Sequence, residues 1–206
     1  MLNLLGVGTV VLLSTSLIAQ TLRVDHAGIC GYDLASTQRA FADLGLVAEY
    51  GGVHATGGTH NALLGFDTGS YIELIAPQHP ESLAAGEAKA WSRLKPDKAH
   101  ACFWAVGSSN IRKDVERLRH AGVQISDVQP GGRKTPDGTM IAWETARVSS
   151  GKGGELLPFL IEDKTPRRAR IQPSASVKGS ELTGIEIVVI AVKDLDAAHC
   201  AVSARL

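Results

Sequence analysis

The sequence has no surplus charge, little aromatic surface and few cysteines. Lys plus Arg and Asp plus Glu each number 21 in 206 residues, for a formal net charge of zero. With no basic excess there is no electrostatic footprint for a phosphate backbone or an anionic membrane. Nucleic acid is therefore excluded as the expected partner, and a small molecule takes its place. Cys30, Cys102 and Cys200 are odd in number and lack CxxC spacing, which argues against a zinc knot and a disulfide framework. They read as buried small apolar residues. Aromatic residues make up only 5%, yet hydrophobic residues reach 44%, enough to exclude disorder for the bulk of the chain. What is plentiful is glycine, 22 residues, marking tight turns between short elements and favouring a strand-rich fold.

Residues 2–19 carry no charge, and Arg23 is the first charged side chain. The apolar run Val7 to Val11, then Leu12, Leu13 and Leu17 to Ala19, reads as a secretory h-region without a positive n-region. A thin membrane anchor or a buried N-terminal extension are the alternatives. Export to the periplasm or outside would follow from a signal peptide, and a cytoplasmic location otherwise; no membrane contact is expected beyond such an anchor.

Beyond this leader (1–22) one grammar recurs: a short strand, a loop, then an amphipathic helix. Val24 to Ile29 leads through Asp33 and Leu34 to a helix closing with Phe41, Leu44 and Gly45. Ala101 to Val106 leads through Asn110 to Ile111, Val115 and Leu118, spaced i, i+4, i+7, and then Gly122. Ile185 to Val192 opens a third, with Asp194-Leu195 echoing Asp33-Leu34. Strand pairs lie between the openings. His60 to Phe66 and Tyr71 to Ala76 flank the turn Asp67-Thr68-Gly69, and Thr139 to Val148 follows Pro136-Asp137-Gly138 and leads to Leu156 to Ile161. Residues 80–99 read as a linker with some helix, and 163–179 as a solvated connector carrying Arg167, Arg168 and Arg170. The expected fold class is α+β: βαβββ modules over 24–78 and 100–162, paired into a curved-sheet cup, with an incomplete third βα unit at 185–206. Such a unit would expose an edge and favour docking on the same protein or a second copy, as a homodimer.

Strand alternation selects the site. If Ala27 and Ile29 face the helix, His26 faces the concave side, and with Ile72 and Leu74 facing the helix, Tyr71, Glu73 and Ile75 join His26. A glutamate inside the apolar run Tyr71-Ile72-Glu73-Leu74-Ile75 is expensive unless it is paired, hydrogen-bonded or on a metal.

Val24-Asp25-His26-Ala27-Gly28, Gly58-Thr59-His60-Asn61-Ala62-Leu63-Leu64, Gly69-Ser70-Tyr71-Ile72-Glu73-Leu74-Ile75-Ala76-Pro77, Pro136-Asp137-Gly138-Thr139 and Leu157-Pro158-Phe159-Leu160-Ile161 together resemble the glyoxalase-like domain of the vicinal oxygen chelate superfamily, over most of 24–197. The resemblance implies a divalent ion, Zn, Mn, Fe or Ni, held by a His from the first strand and a Glu from the fourth strand of each module. That ion would act as a Lewis acid in lyase, isomerase or dioxygenase-type chemistry, with Glu73 moving a proton. His26 and Glu73 match the first module's pair. In the second, Trp104 aligns with the histidine, and Pro158 or Phe159 with the glutamate, so two ligands are missing; His60 is the candidate third.

The remaining candidates each carry a plainer alternative. His26 and Glu73 can be a buried couple without metal, and His60 a strand-end residue bonding a carbonyl. Asn61 is a turn cap or a substrate contact. Trp104 is core or a stacking platform, Trp143 packing. Arg133, in a glycine-rich loop over the cup mouth, holds a substrate carboxylate or is solvated. The glycines at 51, 52, 57 and 58 precede no helix and are not a phosphate loop. His54, His79, His100, His120 and His199 read as surface or satisfied residues. An apolar floor with Trp104 and Phe159 would suit the alternative function, metal-free binding or sequestration of a small molecule.

Overall fold

The computed structural model describes residues 22–79, 98–148 and 157–191. The elements are β1 (Arg23–Gly31), α1 (Leu34–Ala42), β2 (Glu49–His54), β3 (Thr59–Gly65) and β4 (Tyr71–Pro77), then β5 (Ala99–Gly107), α2 (Ile111–His120), β6 (Gln129–Lys134), β7 (Met140–Arg147), β8 (Phe159–Asp163) and the short helix α3 (Arg167–Arg170). The strands close into one barrel in the order β1-β4-β3-β2-β6-β7-β8-β5. The two modules repeat each other: β1 runs parallel to β4 and β5 parallel to β8, while β1–β5 and β2–β6 join the modules antiparallel. The chain is therefore the expected pair of βαβββ modules, with β2 and β6 supplying strands that the sequence pattern left undefined.

The helices start and stop where the sequence signals them. Asp33 accepts from the Ser36 N–H at 2.8 Å, and the Asn110 side chain from the Lys113 N–H at 3.0 Å, each satisfying an orphan donor of a first turn. Gly45 and Gly122, at φ 79° and 81°, turn the chain out of the helices in the left-handed region. Each helix then covers the outer face of its own module. Leu34 of α1 packs with Leu64, Leu74 and Ala76 of the sheet, and Ile111, Val115 and Leu118 of α2 with Leu160. Two cores thus lie outside the barrel wall, and the polar residues of alternate positions are left to fill its inside.

Three expectations are corrected. Cys30 and Cys102 form a disulfide, Cα to Cα 5.8 Å; the antiparallel pairing of β1 with β5 brings them together although 72 residues separate them, a closeness that sequence spacing does not encode. Cys200 lies outside the described residues, as do the leader, the linker at 80–97 and the start of the expected third helix. Second, residues 163–179 are not a solvated connector: Arg170, Ile171, Ser174 and Val177 are buried, and Ser174 exchanges hydrogen bonds with the Gly65 backbone. Third, Ile185 to Ala191 forms no strand. The barrel is closed and offers no free edge for it to join; the segment is tied instead by the Ile185 N–H to the Ser70 hydroxyl at 2.8 Å.

Candidate functional site

The barrel encloses a cavity of about 240 Å³. Its floor comes from module one. His26 and Glu73 both line it, as the alternation of β1 and β4 requires, with His26 Nε2 3.5 Å from Glu73 Oε2. On the other side of the carboxylate, His54 Nε2 lies 3.5 Å from Oε1, and Asn61 donates to the same oxygen at 2.7 Å. Asn61 must present its N–H₂ there, because its amide oxygen would face an ionised carboxylate.

His26 is fixed by its neighbours. A register shift in the β1–β5 ladder between Val24 and His26 marks a bulge, which lets consecutive side chains meet: His26 Nδ1 is 2.7 Å from Asp25 Oδ1. An ionised Asp25 only accepts, so Nδ1 carries the proton and Nε2 is the nitrogen aimed at Glu73. Asp25 is in turn held by both terminal nitrogens of Arg170, at 3.0 and 3.1 Å, and by Arg167. Arg170 also donates to the Tyr71 hydroxyl at 2.6 Å, and the Tyr71 ring stacks on the His26 ring at 4.6 Å. Phe103 and Phe159 close the other sides edge-on, at 5.8 and 5.5 Å.

Both carboxylates are strong acids in this setting. Burial works to raise the Glu73 pKa, but the hydrogen bond from His54, the charges of His26 and His54 and the Asn61 amide outweigh it and hold it at about 2. For Asp25 burial likewise pushes upward, while the His26 hydrogen bond and the Arg170 guanidinium keep its carboxyl well below the usual range. At neutral pH the floor holds an anion flanked by two imidazole nitrogens, each 3.5 Å from one of its oxygens.

The other predicted residues divide. Asn61, Arg133 and Phe159 line the cavity. Arg133 does so from β6, not from a loop, and is buried at 3% exposure, its guanidinium donating to the carbonyls of Gly51 and Arg170. His60 is placed elsewhere: it neighbours Asn61 on β3 and so takes the opposite face, its ring edge-on to Tyr50 at 6.0 Å. Trp104 packs against the α2 core, and Phe103 reaches the cavity in its stead. Register gives the reason. Ala105 stands opposite Phe159 as His26 stands opposite Tyr71, so the second module's counterparts of His26 and Glu73 are Ala105 and Ile161. On β5 the expected position, Trp104, stands one residue from Ala105, which on a strand exchanges the two faces, and on β8 Pro158 and Phe159 stand three and two residues short of Ile161.

His54 was missed for a similar reason. The register of β2 against β3 shifts between Tyr50 and Gly52, and Gly52 has φ 126°. A glycine pair inside a strand is itself a bulge signal, and reading Gly51-Gly52 so would have turned His54 inward. A side chain at Gly51 would also collide with Asn61, its Cβ falling 2.3 Å from Oδ1.

The residues present do not fit a divalent ion in this arrangement. Two imidazoles and a carboxylate are suitable donors by type, but each nitrogen addresses a different oxygen of Glu73, and the Asn61 N–H₂, a donor, occupies the space beside Oε1 and His54. Among the described residues no group of three or more His, Cys, Asp or Glu side chains is gathered to hold a metal.

Two βαβββ modules closed around an internal polar pocket define a class of barrel whose site is its interior. The family model of the glyoxalase-like domain matches residues 24–206, and the chain belongs to that family. No protein of curated function matches it. Among solved structures, a hypothetical protein from Staphylococcus aureus is 19% identical over 73% of this chain, with a TM-score of 0.58; this chain spans 62% of that protein's length. Methylmalonyl-CoA epimerase from Mycobacterium tuberculosis is 22% identical, covering 72% of this chain and 92% of its own, at a TM-score of 0.49. A variant of the Streptomyces coelicolor epimerase, in complex with 2-nitronate-propionyl-CoA, is 23% identical over 70% of this chain and 100% of its own, at a TM-score of 0.46.

Proposed function

We propose that the cavity binds a small oxygenated molecule and moves a proton on it, in isomerase- or lyase-type chemistry. The observation that carries this is the buried Glu73 carboxylate set between His26 Nε2 and His54 Nε2, each at 3.5 Å. The imidazoles are the proton carriers, since Glu73 stays ionised at neutral pH and is too weak a base to keep a proton. Asp25 fixes the tautomer of His26, and Glu73 orients both rings and balances the charge that develops when either takes a proton. Thr59, at 2.7 Å from His54 Nδ1, plays the orienting part on the second ring. A cavity of about 240 Å³ is below the roughly 300–1,000 Å³ of pockets for drug-sized ligands, so a molecule of few heavy atoms is the expected substrate.

The test is proton exchange. Small aldehydes, ketones and hydroxyketones incubated with the protein in D₂O should take up deuterium at the carbon beside the carbonyl, read by NMR. Glu73→Gln should slow this by about a hundredfold or more, the ordinary contribution of positioned acid–base groups. Exchange at the wild-type rate in Glu73→Gln would overturn the reading. One observation favours a second reading, sequestration without turnover: Phe103 and Phe159 pack edge-on against His26 and give the cavity an apolar side. It predicts binding with no exchange.

The compartment belongs to the same proposal. A disulfide between Cys30 and Cys102 persists in an oxidising setting, which supports reading residues 2–19 as an export signal.

A further inference from the structure

Three guanidinium groups line the cavity, and two already have their partners. Arg133 is held by two main-chain carbonyls, and Arg170 by Asp25, Asp163 and Tyr71. Arg147 differs. It ends β7 on the face that carries Trp143 and Thr145, so alternation turns it to the cavity, which it lines near the mouth. Its backbone N–H donates to the Ser126 hydroxyl, but among the described residues its guanidinium has no carboxylate or carbonyl partner. Its Cζ lies 5.0 Å from the centroid of the Phe159 ring. A guanidinium held over an aromatic ring is steadied by the ring without using its N–H donors. Those donors form a fork that matches a carboxylate. The Phe159 ring is 5.5 Å from the His26 ring, so the fork and the imidazole are no farther apart than those two steps together.

We infer that Arg147 anchors a carboxylate of the substrate, which makes the substrate class a small oxygenated monocarboxylic acid. The inference rests on the proton-transfer reading of the floor and adds the group that holds the other end of the molecule. One end meets Arg147 over Phe159, and the oxygenated carbon reaches His26 and Glu73. A monocarboxylate is favoured over a phosphate because the ionised Glu73 at the floor opposes a dianion more strongly than a monoanion, and because a planar fork pairs two oxygens in one plane. The role assigned from sequence to Arg133 thereby passes to Arg147.

The probes are 2-oxobutyrate, its methyl ester and inorganic phosphate, titrated by calorimetry against the wild type, Arg147→Gln and Arg147→Lys. In the wild type the carboxylate should bind at least tenfold tighter than the ester and tighter than phosphate. Arg147→Gln should abolish that preference, changing ester affinity less than twofold, and Arg147→Lys should retain part of it, since an ammonium supplies charge without the fork. Equal binding of acid and ester by the wild type overturns the inference, as does a preference that survives in Arg147→Gln, tighter binding of phosphate, or no binding of the acid. Should Arg147→Gln fail to fold, the wild type decides alone: acid affinity must weaken as salt rises while ester affinity holds, and equal salt response overturns the inference. Deuterium uptake into the ester, which lacks the anionic group, separates the two levels. Ester exchange without acid preference removes only the anchor, whereas acid preference without any exchange removes only the proton transfer.

Discussion

The two modules share a backbone plan and divide the chemistry. Module one turns His26, His54, Asn61 and Glu73 into the barrel. At matching positions module two presents Ala105 and Ile161 and adds Phe103, Phe159 and Trp143, with Arg147 as its cation without a described partner. The difference shows that two modules can share a fold while only one carries the imidazoles and the carboxylate of the cavity. Outer-face packing under α1 and α2 is satisfied in both, so folding does not constrain what alternate positions carry inside. The polar half is then stabilised from outside the modules, by Arg170 on α3, whose bonds to Asp25 and Asp163 tie β1 to the segment after β8.

The largest effect should come from the covalent link between the modules. Cys30–Cys102 closes a loop of 72 residues, and the chain-entropy model gives such a closure about 4 kcal/mol. Cys30→Ser with Cys102→Ser should lower the denaturation free energy by that order, measured in urea. A change under about 1 kcal/mol would mean that the barrel alone holds the modules together.

Acid should act next, and on module one. The Glu73 pKa is lowered from 4.5 to about 2 in the folded protein, so its contribution to stability is present above pH 4.5 and is lost as pH falls toward 2. The loss is on the order of 3 kcal/mol, and Asp25, also depressed, adds in the same direction. Urea midpoints of the wild type should fall steeply over that range and those of Glu73→Gln less steeply. Parallel slopes would show that Glu73 is not held by the imidazoles.

A smaller effect is expected where one module's aromatic lies on the other's backbone. Gly28 has no side chain because the Phe103 ring occupies the place: an added Cβ would come within 2.3 Å of it. Gly28→Ala should destabilise by about 1–3 kcal/mol, the range for overpacking, and Phe103→Leu should relieve it in the double variant. The least effect belongs to His60, on the outer face. His60→Asn should leave proton exchange within twofold of wild type; a larger loss would return His60 to the site.

Much of the fold was legible because helix signals are local. Asp33, Asn110, Gly45 and Gly122 mark their boundaries through their own backbone needs, and β1 and β4 stay in step along their parallel ladder from His26 to Cys30, which brought His26 and Glu73 together as the alternation expected. What escaped depends on bulges or on distant pairing. The shift at Gly51-Gly52 hid His54, a one-residue offset in β5 exchanged Trp104 for Phe103, and the Cys30–Cys102 bond and the Arg170–Asp25 pair join residues that only barrel closure makes neighbours. The basic run Arg167-Arg168-Ala169-Arg170 looked solvated because composition cannot distinguish an arginine facing water from one facing Asp25.

The central claim, that module one alone assembles a proton-transfer centre from His26, His54 and Glu73, is tested most directly by deuterium uptake after exhaustive chelation of the protein. The account expects uptake to persist in the chelated wild type and to vanish in Glu73→Gln. Uptake abolished by chelation and restored by a single divalent ion would contradict it.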